Sequence, residues 1–283
     1  MIKISSEYLD MRKIADSGQV FRFNKTDDGS YDLIANNKHL RIQKLIDNKD
    51  INTYELDCSE EDYNKIWKDY FDIDTDYSIY SDDLDENDVY LQKACEYSKG
   101  IRILRQDKWE MLISFIISQR KSIPAIKSSI EKMAVNLGEE IDDRIYAFPK
   151  PQEILSADDT VLETCGLGYR LPYIRAAARD VIENGVDLYD SDNLSDEELL
   201  EKLKEFKGVG VKVANCVLLF GYHRIGAFPI DVWVEKILNN HYDGTFPMER
   251  YKGYAGVLQQ YMFFYEREKS NVKLTEVAIA AAG

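Results

Sequence analysis

The sequence predicts an α+β fold: a small N-terminal antiparallel β-sheet domain followed by a mostly α-helical domain. Three observations carry this. Residues 19–45 hold short runs that alternate apolar and polar side chains, "QVFRF", "YDLIA" and "HLRIQKL", separated by the turn-rich "NKTDDGS" and "NN". From Ser59 onward the apolar residues recur at helical spacing instead. The chain has 283 residues, 45% of them hydrophobic, enough to bury a sizeable core in one large domain or two ordinary ones.

Taken in order, the alternating runs form a sheet that opens the chain. "SEEDYNKIWKDYF" then starts a helix with a capping signal, Ser59 followed three residues later by Asp62. The clearest amphipathic helix is 106–119, where Trp109, Leu112, Ile113, Ile116 and Ile117 share a stripe that should face a core. Further helices are predicted over 123–136, 169–184, 196–205, 211–221, 232–240 and 249–267, with Ser195 and Glu198 as another capping box. Near residue 98 an acidic stretch gives way to "SKGIRILRQ". The expected organisation is therefore 1–98, the sheet domain with flanking helices; 99–270, the helical domain; and 271–283, a small-residue tail.

The formal charge of −15 argues against indiscriminate polyanion binding, because phosphate contacts need lysine and arginine to displace counterions. Much of the acid lies in 55–96 and 187–201, however, whereas 99–132 carries Lys99, Arg102, Arg105, Lys108, Arg120, Lys121, Lys127 and Lys132. Local sign can differ from net sign. Cys58, Cys95, Cys165 and Cys216 are widely separated, without the C-x-x-C pairs of zinc and redox sites or the close spacing of an iron–sulfur cluster. Reduced thiols and no metal are expected. "MIKISSEYLDMRK" lacks an apolar run ahead of a small-residue cleavage site, and no later stretch stays apolar long enough to cross a bilayer, so a cytoplasmic protein is expected.

"KGVGVKVANC", residues 207–216, follows the predicted helix "SDEELLEKLKEF" and opens the next. Its glycines can take positive φ, and the amides of Gly208, Val209 and Gly210 then make an anion site at a helix N-terminus. On G-V-G alone, an ordinary corner between helices explains the sequence equally well. Lys212 shifts the balance: a cation beside the positive end of a helix dipole is misplaced for stability, and a partly desolvated lysine is an amine nucleophile. Nineteen residues later, Asp231 in "AFPIDVW" stands where it would cap the next helix. A cap and a catalytic carboxylate can be one residue if that helix start points into the lysine's cleft.

Lys212 in "KGVGVK" with Asp231 in "PIDVW" resembles the helix-hairpin-helix superfamily of DNA glycosylases. Within it the chain resembles the Ogg-type 8-oxoguanine DNA glycosylases, which excise the base and nick the strand. The resemblance runs from about residue 14 to residue 265 and rests on several separated motifs. For "DSGQVFRF" it implies that the carbonyl of Gly18 accepts the N7–H that oxidised guanine has and guanine lacks. In "CGLGYRLPYIRAAARDV" it implies that Tyr169 wedges into the stack and Arg170 contacts the orphaned partner base. "GYAGVLQQYMFF" resembles the helix carrying a base-reading glutamine and a stacking phenylalanine, here Gln259 and Phe263, an i, i+4 pair on one face. Cys216 matches the cysteine that supports the opposite face of the base. By this resemblance Lys212 attacks C1′, Asp231 assists and stabilises charge on the sugar, and β-elimination cuts the strand. No metal or organic cofactor is required. The implied partner is damaged double-stranded DNA, bound by a monomer, at the nucleoid if the source is bacterial.

Two stretches depart from the family. Its best-known members carry consecutive asparagines and then an arginine after the long apolar helix, where "SQRKSIPAI" has Arg120, Lys121, Ser122 and Ala125. The opposite-base preference is left open, and Arg120 and Lys121 become the expected duplex contacts. Trp233 stands where a histidine is usual, near the phosphate flanking the lesion. "ISQRKS" also resembles the corresponding turn of 3-methyladenine DNA glycosylase II. A monofunctional alkylated-base glycosylase, in which Lys212 only lines the pocket, is therefore the second reading, and a non-catalytic helix-hairpin-helix DNA-binding module the third.

Overall fold

The computed structural model describes residues 1–47, 51–191 and 193–282. Five strands, β1 (Ile2–Ser6), β2 (Phe23–Lys25), β3 (Tyr31–Ala35), β4 (Lys38–Asp47) and β5 (Asn52–Leu56), form one antiparallel sheet in the order β1-β5-β4-β3-β2. The alternating runs account for β2, β3 and β4. β1 and β5 were outside that expectation, because each buries so few side chains, Ile4 in one and Tyr54 and Leu56 in the other, that little periodic signal results. Asn36 and Asn37 take φ of 51° and 56°, the two-residue hairpin geometry that pairs Leu33 with Leu40 and Tyr31 with Ile42. In that register these four side chains face inward onto Met11 and Ile14 of the Met11–Asp16 helix and onto Trp67, Tyr70 and Phe71. Ser59 acts as predicted, its Oγ accepting from Asp62 N–H at 3.0 Å at the start of a helix that passes through a π segment, Tyr63–Trp67.

The Lys108–Ser118 helix is buried beyond its predicted stripe, since Met111 and Phe115 on its other face are also covered. It is a central helix, with the Val211–Phe220 helix packed along it. Ile123–Leu137, Asp196–Lys204, Val211–Phe220 and Val232–His241 closely follow the expected spans. Two others differ. The helix expected from 169 begins at Leu171, after a tight 3-10 turn, Gly168–Arg170, that Gly166 and Gly168 permit with φ of 69° and 57°. The helix expected over 249–267 runs Ala255–Ala282, so the expected tail continues it, and Gly283 lies outside the described residues. Helices Ile79–Asp82, Val89–Ser98, Pro151–Ser156 and Asp159–Thr164 and a small ribbon at 140–146 are additional.

Two cores result. One lies under the sheet; the other gathers the helices and begins, in sequence, with Phe21 and Tyr77. The Val89–Ser98 helix packs on the C-terminal helix, with Ser98 Oγ donating to Tyr261 O at 2.9 Å. By packing, the segment from Tyr77 joins the helical core, while Leu104 joins the core under the sheet and Phe21 the helical one, so the two cores interleave along the chain. Buried Arg102 ties the parts together, donating to the carbonyls of Phe71, Tyr8 and Thr75 at 3.0, 2.9 and 2.6 Å. All four cysteines are free thiols. No described helix is long and apolar enough to cross a membrane.

Candidate active site

An open cleft of about 1010 Å³ lies between the sheet side and the helices, and Gly18, Phe115, Arg120, Lys212, Asp231 and Phe263 all line it. Arg120, Lys121, Lys127, Lys212 and Arg267 outnumber Asp16, Asp231 and Glu235 around it. The cleft is thus locally basic in an acidic chain, which is what attraction of a polyanion to this face requires.

The hairpin places the lysine. Gly208 turns the chain with φ +86°, and Gly210, with φ −94°, opens the Val211–Phe220 helix without a capping side chain. Only Gly208 needs the left-handed region, and a Cβ there would stand 2.4 Å from Tyr173 Cδ2. The predicted anion site needs correction at Val209. Its N–H donates to Phe206 O at 3.0 Å and its side chain lies in the helical core, so it is a turn residue. The uncommitted amides belong to the first turn of the helix that follows.

Lys212 sits in that first turn, half-buried, with Nζ 5.4 Å from the Phe115 ring centroid. Phe115 is itself flanked by Phe21 at 5.6 Å and Phe220 at 5.5 Å. This aromatic wall excludes water from one side of the amine. One turn on, Cys216 is 3% exposed, and burial pushes its thiol up to about 11 against the opposing pull of Lys212. Asp231 caps the Val232–His241 helix, its Oδ1 accepting from Trp233 and Val234 N–H, both at 2.9 Å. The capping carboxylate and the cleft carboxylate are one and the same.

The 16–19 turn is held from below. Gly18 has φ +81°. Gln260 Nε2 donates to Ser17 O at 2.6 Å, while the buried Gln19 side chain donates to Arg102 O and accepts from Leu104 N–H, both at 2.9 Å. Phe263 Cε1 and Arg267 Nη1 each stand 3.4 Å from where a Gly18 Cβ would be. Gln259 is 4% exposed, and its Oε1 has no hydrogen-bond partner among the described residues. Cys216 and Gln259 are not part of the cleft lining; both are covered.

Known proteins are similar to this chain over most of its length. Residues 1–112 match the family described as 8-oxoguanine DNA glycosylase, N-terminal domain, and residues 113–245 the HhH-GPD superfamily base excision DNA repair protein. A "Probable N-glycosylase/DNA lyase" of Methanothermobacter thermautotrophicus is 30% identical over 70% of this chain and 71% of its own length. The chain belongs to the Ogg-type 8-oxoguanine DNA glycosylase family. Among solved structures, MBOgg1 in complex with a low affinity DNA ligand is 34% identical, with a TM-score of 0.86 over 95% of this chain and 96% of that one. The Clostridium acetobutylicum 8-oxoguanine glycosylase/lyase, in complex with dsDNA containing cytosine opposite 8-oxoG, is 32% identical, with a TM-score of 0.85 over 93% of each chain.

In this Ogg-type glycosylase, the turn after the Lys108–Ser118 helix is built differently from the sequence expectation. Arg120 is exposed, takes φ +51° and lines the cleft, as a duplex contact requires. Lys121 is committed within the protein: Nζ donates to Ser129 Oγ at 2.5 Å and Gly166 O at 2.7 Å, and burial, then Arg170, lowers its pKa. Arg170, 7% exposed, points inward, with Nε to Gln119 O at 2.9 Å, Nη1 to Leu167 O at 3.2 Å and Nη2 also to Gln119 O. Carbonyls at a helix C-terminus lack intrahelical donors, and Arg170 satisfies them. In this structure both side chains are bonded within the protein, and together they build the turn that presents Arg120 and the 51% exposed Tyr169.

Trp233 is half-buried at the cleft edge. Sequence reasoning missed Gln19, Phe21, Phe115, Gln119 and Gln260. Gln119 Nε2 donates to Gly208 O at 3.1 Å, linking this turn to the hairpin. Its only signal was its place in "SQRKS", and Gln260 is marked only by adjacency to Gln259.

Proposed function

We propose that this chain excises 8-oxoguanine from duplex DNA and then cuts the strand by β-elimination, with Lys212 as nucleophile and Asp231 as its carboxylate. The observation that carries the reading is that Lys212, Asp231, Gly18 and Phe263, from four separated segments, line one cleft. The helix-start amides beside Lys212 and the exposed Arg120 hold backbone phosphates. The damaged nucleotide leaves the stack at a cost of about a few kcal/mol, less at a damaged pair. Its N7–H meets the Gly18 carbonyl, and the unpartnered Oε1 of Gln259 accepts from the base edge. Because Cys216 and Gln259 are covered, Phe263 shifts as the base enters and then stacks on it.

As the C1′–N9 bond breaks, positive charge grows on the sugar, and the Asp231 carboxylate stabilises it. The Lys212 amine forms its bond to C1′ and loses its extra proton toward Asp231 or water, and the base departs protonated. Ring opening gives a Schiff base. Loss of the C2′ proton then expels the 3′ phosphate and leaves a nick. No step calls for a metal or an organic cofactor, and one monomer supplies every residue named.

Lys212→Gln keeps a polar side chain of similar bulk, one atom shorter, and removes the amine. On a duplex with one 8-oxoguanine, the variant is expected to bind and to release neither free base nor nicked strand in single-turnover assays. Near-normal base release would remove Lys212 from the chemistry and favour water attack supported by Asp231 alone.

A further inference from the structure

Arg267 lies one helical turn beyond Phe263 and on the same face, with its guanidinium 5.5 Å from the Phe263 ring centroid. Nη2 donates to Asp16 O, on the segment that enters the Gly18 turn. Nη1 is buried without a hydrogen-bond partner among the described residues. It stands 3.4 Å from the Cβ position of Gly18, and Arg267 lines the cleft. A buried guanidinium N–H without an acceptor is costly. Here the deficit falls where a bound base would lie, between the stacking ring and the glycine that tests N7.

We propose that Arg267 is a specificity-determining residue, donating from Nη1 to a carbonyl oxygen that flanks N7–H on the flipped base. The inference rests on the 8-oxoguanine reading. In a purine whose N7–H faces the Gly18 carbonyl, the atoms on either side are O6 and O8, both acceptors. A donor fixed to the Asp16 carbonyl beside Phe263 meets one of them without rearranging the turn. Gly18 reads a donor on the lesion, and Arg267 reads the acceptor next to it.

The test compares wild type with Arg267→Met, which keeps the aliphatic stem beside Phe263 and removes the donors. Single-turnover excision is measured on duplexes carrying 8-oxoguanine, 8-oxo-2-aminopurine, which lacks O6, or 8-thioguanine, whose sulfur is a weak acceptor. Nicking of an abasic duplex is followed in parallel. Excision of 8-oxoguanine should fall about tenfold to a hundredfold, the value of a hydrogen bond to a charged group, with abasic nicking falling by a clearly smaller factor that reflects only the lost charge. The penalty should collapse on one of the two analogues. Arg267→Gln, which retains an N–H donor, should recover part of the rate and guards against a folding defect. Equal penalties on all three bases would reduce Arg267 to a brace for the 16–18 turn, and a matching loss on abasic DNA would make it a phosphate contact. A wild type that releases no 8-oxoguanine would sink the underlying reading instead.

Discussion

Arg170→Met separates a structural arginine from a DNA-reading one. Methionine keeps most of the stem but removes donors that reach Gln119 O at 2.9 Å and Leu167 O at 3.2 Å. A hydrogen bond to a charged group is worth about 1.5–3 kcal/mol. The Leu167 side is buried, whereas Gln119 and Arg120 are partly open and their carbonyls recover water on mutation. Discounting for that hydration, the expected loss is about 2–4 kcal/mol of unfolding free energy, a large share of the ~5–15 kcal/mol typical of a domain. Urea unfolding followed by tryptophan fluorescence measures it, and the midpoint should drop with little change in slope. Unchanged stability together with weakened duplex binding would refute the inward assignment and return Arg170 to the partner base.

Asp231→Asn should preserve the helix cap, leaving unfolding free energy within about 1 kcal/mol of wild type, because asparagine caps as well as aspartate. Single-turnover excision should nevertheless fall by about a hundredfold or more, and full activity would leave Asp231 a cap alone. Gly208→Ala forces a left-handed φ on alanine and drives Cβ to 2.4 Å from the Tyr173 ring. It should cost about 2–4 kcal/mol in urea unfolding, and an unchanged midpoint would contradict the turn geometry. Asp72 should make the fold acid-sensitive. Burial raises its pKa, but hydrogen bonds from His223, Thr75 and Arg105 outweigh that and hold it at about 2, against an ordinary 3.8. A folded pKa below the unfolded one stabilises above pH 4, and about 2 kcal/mol should be lost as pH falls from about 4 toward 2. Asp72→Asn should flatten that part of the pH–stability curve; an unaltered curve would assign the acid sensitivity elsewhere.

Legibility in the sequence followed what each residue had to satisfy. β2, β3 and β4 could be read because one buried face imposes alternation; β1 and β5 could not, since each buries too few side chains to set a period. Lys212, Asp231 and Gly18 were visible because a helix start, a cap and a left-handed turn each restrict residue type locally. Gln260 and Gln19 were not, because an amide that holds a distant carbonyl leaves no periodic trace. A cation in a turn reads as solvent-facing, so the bonds of Arg170 to the Gln119 carbonyl and of Lys121 to Ser129 and the Gly166 carbonyl, which exist only in three dimensions, could not be read from the sequence.

The most direct measurement is borohydride trapping on duplexes carrying one 8-oxoguanine opposite each of the four bases, with Lys212→Gln as control. A covalent protein–DNA adduct should form with wild type and vanish with the variant, and its yield across the four duplexes would report how far Arg120, Lys121, Ser122 and Ala125 relax partner choice. No adduct on any duplex, or an adduct that survives loss of the amine, would contradict Lys212 as the nucleophile.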